Sequence, residues 1–237
     1  MMGAGVITVP AKDHGHDLPA MLAAITPDTR AVFVANPNNP TGTLAPREAV
    51  VQLVNEIPDD VLLVMDEAYV EFLSSPVDLL PLIRRGDQPN LLLMRTFSKI
   101  FGLAGLRIGY GIGDPDFIAA LEKIRQPFNA NAVAQAGALA ALEDHDHLAA
   151  TRANNEAGLN YLNNELRRMG INFVPSAANF VLLEVGDGGK VFADLQAKGV
   201  ITRPMAGYQL PEWVRVSVGT PEENTRFVAT LKEVLGR

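Results

Sequence analysis

Residues 90–111 read NLLLMRTFSKIFGLAGLRIGYG, an apolar and glycine-rich run that holds Ser98, Lys99, Arg95 and Arg107. The leucine run before Met94 has the length and continuity of a strand buried on both faces of a parallel sheet. Two further runs upstream have the same texture, RAVFVANP at 30–37 and DVLLVMDEAY at 60–69. The connectors between them carry helical periodicity. In HDLPAMLAAITPDT, residues 16–29, Leu18, Met21, Leu22 and Ile25 fall at i, i+3, i+4, i+7, with Asp17 placed to cap the helix and Pro19 in its first turn. APREAVVQLVNEIPDD, residues 45–60, opens on Pro46 and closes near Pro58 in the same way. The order is βαβαβ, which predicts an α/β fold with right-handed crossovers and a mostly parallel sheet between helices. GVITVP, residues 5–10, predicts one more strand, and LRIGYGIG, residues 106–113, predicts a strand that carries Arg107.

After residue 113 the texture changes. DPDFIAALEKIRQ and NAVAQAGALAALED read as helices, followed by a long one from about His147 to Met169 whose apolar stripe is Leu159, Leu162, Leu166 and Met169. The remainder alternates strand and helix signals, as a smaller α+β domain would. The expected division is a large domain over 1–160 and a small C-terminal domain over 161–237.

Composition narrows the function. Of 237 residues 48% are hydrophobic and 20% charged, enough for a sizeable core. The formal net charge of −7 argues against broad attraction to nucleic acid or to an anionic membrane, so any bound anion must be held by local arginines. There is no cysteine, which excludes disulfides, thiolate metal sites and cysteine nucleophiles. No apolar run reaches the roughly 20 residues a membrane span needs, and the first residues lack the pattern of a secretory leader. The expectation is a soluble, cytoplasmic protein. His14 with His16, and His145 with His147 beside Asp144 and Asp146, lie in polar connecting sequence, and no metal site is expected from them. GYGIG at 109–113 is not GxGxxG and stands at the wrong end of a βαβ unit for a dinucleotide.

In sheets of this kind ligands collect beyond the carboxyl ends of the strands. Three such ends are polar here: NPNNPTG at 36–42, DEAY at 66–69 and RTFSK at 95–99. Asp66 follows five apolar residues and reads either as a turn residue or as a partner for a cationic ligand, the second if Glu67 does the capping. Tyr69 falls in the same locality. Lys99 follows an interior strand, and a lysine in a poorly solvated cleft has the lowered pKa that suits imine formation. Ser98 adds a hydroxyl beside it, and Arg107 a planar guanidinium that can grip a phosphate with two hydrogen bonds. Asn39, fixed between Asn38 and Pro40, offers an amide of determined direction.

These residues together resemble the fold type I pyridoxal-phosphate enzymes. NPNNPTG, DEAYVEF and RTFSKIFGLAGLRIGYG are similar to the class I/II aminotransferases, and within them to the histidinol-phosphate aminotransferase group. WVRVSVGTPEENTRF, residues 213–227, resembles the segment in which that family binds a substrate carboxylate. The resemblance implies a homodimeric enzyme that uses pyridoxal 5'-phosphate to exchange an amino group between an amino acid and a 2-oxo acid. It implies that Lys99 holds the cofactor covalently and shuttles a proton. Asp66 would pair with the pyridine nitrogen, Tyr69 and Asn39 with the ring oxygen, and Ser98 and Arg107 with the phosphate. Arg215 would take the α-carboxylate of the substrate and Arg203 its distal group.

The chain is shorter than members of that family and corresponds to roughly their last two-thirds. The resemblance therefore lacks a glycine-containing helix start at the phosphate and an aromatic residue over the ring. A racemase or lyase on the same lysine, or a truncated module without turnover, are the alternatives that the residues leave open.

Overall fold

The computed structural model describes residues 3–237; Met1 and Met2, at the head of the stretch read as lacking a leader, lie outside the described residues. The chain divides into two compact units. One comprises the residues up to Asn38, Leu44–Val70 and Ser74–Leu142, the other Asn39–Thr43, Glu71–Leu73 and Glu143–Arg237. The long helix that was expected to contain the boundary near residue 160 groups with the second unit along its whole length.

The first unit is built on a four-stranded sheet in the order β1 (Ala31–Ala35), β2 (Leu62–Asp66), β3 (Leu91–Thr96), β4 (Gly109–Gly113). The first three run parallel and β4 pairs antiparallel with β3. α1 (Leu18–Ala23) leads into β1, and the two crossovers carry α2 (Arg47–Glu56) and α3 (Leu80–Arg85). Asp17 caps α1 by accepting from the backbone N–H of Ala20 at 3.1 Å, with Pro19 in the first turn, and Pro46 stands at the head of α2. Strand alternation sends Val32, Val34, Leu63, Met65, Leu91 and Leu93 to one face, where they are buried together with Leu18, Val50, Leu53 and Val54 of the helices.

The opposite face carries Phe33, Val64, Asp66, Leu92, Met94 and the glycines of β4. It is covered in part: a side chain at Gly113 would meet Leu92 at 3.3 Å and Ile118 of α4 (Pro115–Ile124) at 3.6 Å. Phe33 stays 67% exposed and Met94 44%. Helices thus enclose one face of the sheet fully and the other in part. α5 (Ala132–Glu143) completes the helical series, burying Ala134 and Ala138.

GVITVP forms no strand. Its β-branched residues satisfy strand propensity, but no neighbouring strand pairs with them, and Val6 and Ile7 are exposed. A two-residue turn follows instead, with Lys12 and Gly15 bonded reciprocally at 3.0 and 2.8 Å.

The second unit holds α6 (His145–Arg168), β5 (Phe173–Val174), β6 (Phe180–Glu184), α7 (Gly188–Ala197), β7 (Arg203–Pro204), β8 (Trp213–Ser217) and α8 (Pro221–Leu235). Its sheet, in the order β5-β6-β8-β7, is antiparallel throughout. Val181, Leu183, Val214 and Val216 face Leu162, Leu166, Leu195, Phe227 and Leu231 of the helices and form a dry core. α8 starts on a capping box, Thr220 with Glu223. Among the described residues no helix is long and apolar enough to cross a membrane.

Candidate active site

Asp66 is the last residue of β2, and its register partner on β3 is Met94. Its carboxylate is exposed, with Oδ1 accepting from the backbone N–H of Ala68 at 3.1 Å. Asp66 therefore closes the turn itself, and Glu67 does not cap. The Glu67 side chain turns inward and takes the Nε–H of Arg95 at 2.8 Å, with only 5% of the side chain exposed. Burial pushes the Glu67 carboxyl up from its ordinary value, against the pull of Arg95.

β3 ends two residues before Ser98, whose N–H donates to Thr96 Oγ1 at 3.0 Å. Lys99 follows, held by a turn in which Gly102 N–H donates to its carbonyl. Its Nζ lies 5.3 Å from the centroid of the Tyr69 ring, and Tyr69 is buried. The amine, the phenol and the carboxylate expected to act together thus share the carboxyl ends of two adjacent parallel strands.

Arg107 departs from the sequence reading, which placed it on a strand. It precedes β4 by two residues, caps the 3-10 turn Ala104–Leu106 and sits at φ 54°, in the left-handed region. A bulky side chain seldom occupies that region. Its Nη1 donates to the carbonyl of Ala104 at 2.9 Å. Phe97 N–H donates to Ile108 O at 3.2 Å, so Ser98 and Arg107 flank a bonded pair and are brought side by side. Gly109 lets β4 approach β3 this closely: a Cβ there would lie 2.7 Å from the Arg95 carbonyl.

His16 stands against the strand-to-loop passage at Ala35 and Asn38, and its Nε2 is buried without a partner. Burial lowers its pKa from the ordinary value, more than the contacts to Ala35 and Asn38 raise it. A depressed folded value means that its contribution to stability is full above about pH 6.5, the unfolded value, and is lost as pH falls through the folded one. Thermal unfolding from pH 7.5 down to 5.5 should therefore show a decline that His16→Asn lacks; parallel declines in both proteins would refute it.

The second unit holds the other expected residues. Asn39 Oδ1 accepts a hydrogen bond from Arg215 Nη1, and the Arg215 guanidinium lies 4.8 Å from the Phe180 ring centroid. The 39–43 segment is anchored there by Ala177 N–H to Gly42 O at 2.8 Å. Arg203 is the direct partner of Arg215 across the β7–β8 ladder. Like charges directly opposite on one sheet face destabilise it, and an anion relieves that cost. Among the described residues no group of three histidine, aspartate or glutamate side chains could hold a metal ion.

Sequence reasoning missed the Glu67–Arg95 pair, which joins residues 28 apart, and the Asn39–Arg215 bond, which joins residues 176 apart. The alternation of β3 gave one clue, since an arginine at 95 sits on the face of buried Leu91 and Leu93.

Comparison with known proteins supports the same grouping. The chain is 50% identical over 242 residues to histidinol-phosphate aminotransferase 2 of Ralstonia nicotianae, matching 100% of this chain and 64% of that protein. It is 48% identical over 236 residues to the histidinol-phosphate aminotransferase of Akkermansia muciniphila, with 99% and 64% covered. The crystal structure of histidinol-phosphate aminotransferase from Sinorhizobium meliloti in complex with pyridoxal-5'-phosphate superposes with a TM-score of 0.88 at 35% identity, over 97% of this chain and 64% of that one. The chain thus spans about 64% of the length of these relatives. Residues 1–231 match the family described as aminotransferase class I and II. With two strand ends presenting lysine, tyrosine and aspartate and this match along nearly its whole length, the chain belongs to the class I and II aminotransferases.

Proposed function

We propose that the chain is a pyridoxal-phosphate-dependent aminotransferase, exchanging an amino group between an amino acid and a 2-oxo acid, with histidinol phosphate or an aromatic or acidic amino acid as donor. The observation that carries this reading is the Lys99 amine 5.3 Å from the buried Tyr69 ring, at the end of the strand next to the one that ends in Asp66.

The donor set fits the cofactor: an amine for its aldehyde, a carboxylate for its ring nitrogen, a phenol for its ring oxygen, and a hydroxyl and guanidinium for its phosphate. When bound, pyridoxal phosphate supplies the electron sink for the bond broken at the substrate Cα. Lys99 would hold the aldehyde through its amine and would serve as the base that moves the proton at the substrate Cα. Asp66 holds the proton on the ring nitrogen. Tyr69 donates its phenolic hydrogen to the ring oxygen. Ser98 and Arg107 bind the phosphate; a left-handed arginine costs about 1–3 kcal/mol and persists where its surroundings impose it, as they do at functional sites.

In the second unit, Arg215 takes the substrate α-carboxylate. Asn39 has its Oδ1 turned to Arg215, which leaves its amide N–H groups to donate to a ligand. Arg203 beside Arg215 suits a substrate with a second anionic group, such as a dicarboxylic amino donor or a phosphomonoester. Arg215→Lys should raise the KM for the amino donor about 10- to 100-fold, because the lysine cannot make the forked pair. Steady-state kinetics with an unchanged KM would remove Arg215 from this role.

Self-association into a homodimer fits the exposed apolar side chains met between the end of α4 and the middle of α5: Ile124, Phe128, Val133 and Leu139. Light scattering that gives a monomer at all concentrations would refute it. The absence of charge favouring nucleic acid, and of a spanning helix among the described residues, fits action on small molecules in the cytoplasm. The test of the whole reading is optical. Pyridoxal phosphate added to the protein should give a visible band, and an amino acid should convert it to the pyridoxamine spectrum, with a 2-oxo acid restoring it. A band that no amino acid alters would defeat transamination.

A further inference from the structure

The part-buried Glu67–Arg95 pair behind the site has a third member. Arg95 and Tyr110 are register partners in the β3–β4 ladder, and the Tyr110 hydroxyl hydrogen-bonds the Arg95 side chain. The Tyr110 ring packs 5.4 Å from Phe97, which in turn lies 5.0 Å from Phe101. Glu67, Arg95 and Tyr110 therefore link the carboxyl ends of β2 and β3 to the start of β4 on the helix-covered face of the sheet. Asp66, Met94 and Thr96 project from the other face. Backbone bonds join the same ends, Glu67 N–H to Met94 O at 2.8 Å and Phe97 N–H to Ile108 O at 3.2 Å, and the side-chain network adds to them.

A buried ion pair is a poor way to gain stability, since well-packed apolar residues do as well or better, and its best-attested use is to fix registry. Each member of this network stands within four residues of a site residue. Glu67 follows Asp66, Arg95 precedes Ser98 and Lys99 on the same passage, and Tyr110 follows Arg107 by three. Moving any one strand end would change the spacing between the carboxylate, the amine and the phosphate-binding pair.

We propose that Glu67, Arg95 and Tyr110 form a positioning network that sets the spacing of Asp66, Lys99 and Arg107 for one bound cofactor. This rests on the roles given to those three residues above. None of the network residues touches the cofactor; each acts through its neighbour.

Removing the Arg95 charge alone would strand the buried Glu67 carboxylate, and such a variant can fail to fold. The test therefore uses Glu67→Gln combined with Arg95→Met, which removes both charges, and Tyr110→Phe, which removes only a hydroxyl. Three quantities are measured: the melting temperature, amide hydrogen exchange of the cofactor-free protein, and pyridoxal phosphate titrations of visible absorbance across pH. Tyr110→Phe should melt as the parent does. In every variant that folds, exchange over 66–69 and 95–99 should rise and pyridoxal phosphate binding weaken, about tenfold in the double variant and about threefold in Tyr110→Phe, as small misplacements do. The pH at which the visible band interconverts should shift with them, which loss of bulk stability alone would not produce. Parent-like exchange and band titration in Tyr110→Phe, or in the double variant where it folds, would overturn the proposal. If the parent protein gives no visible band with pyridoxal phosphate, it is the functional reading that fails, and the hydrogen-exchange arm still decides the network.

Discussion

Lys99→Ala should give a protein that folds as the parent does, binds pyridoxal phosphate without a Lys99-dependent visible band, and transfers amino groups at a rate lower by on the order of 10⁴-fold or more, as loss of a nucleophile entails. The side chain is half-buried and its amine lies 5.3 Å from the Tyr69 ring, so the cost to stability is small, about 0.5–1 kcal/mol for such a cation–π contact. Lys99→Arg is the sharper companion. It keeps a cation over the ring and removes the nucleophilic amine, so the two variants should be equally inactive. Activity in Lys99→Arg within tenfold of the parent would show that charge, not covalency, is what position 99 supplies.

Asp66→Asn should lower kcat by roughly 10²–10³-fold, the size expected when one electrostatic partner of developing charge is removed, while leaving stability almost unchanged. The structural duty of Asp66 is to accept the Ala68 N–H through Oδ1, and an asparagine oxygen does that equally well. The amide cannot, however, hold a positive ring nitrogen. The substitution thus separates the turn-forming role from the chemical one. Parent-like turnover would leave Asp66 as a turn residue only. A large fall in melting temperature with normal kcat would say the same from the other side.

Local physics made the helix starts and the three parallel strands legible. Asp17, Pro19 and Pro46 act within a turn of where they stand, and the runs ending at Ala35, Asp66 and Thr96 needed only length and apolarity. GVITVP shows where that logic stops, because propensity describes a residue's comfort in a strand and says nothing about a partner to pair with. Arg107 was read as a strand residue for a related reason, since nothing in RIGYG announces an arginine at φ 54°. The strand ends bearing Asp66, Tyr69 and Lys99 could be picked out because sheet topology decides where they lie. The Glu67–Arg95–Tyr110 and Asn39–Arg215 contacts could not, since each depends on how distant segments meet in space.

β1 is the terminal strand in the order of its sheet, and it carries Phe33 67% exposed on the face from which Met94 of β3 also projects. Exposed apolar side chains next to a sheet's end are where molecules can stack into disordered precipitate. The surplus of seven negative charges opposes this by repulsion over roughly 8 Å at physiological ionic strength. Colloidal behaviour should then be governed by added salt more than by temperature: clear solutions at low ionic strength, and clouding as screening lets those exposed side chains meet.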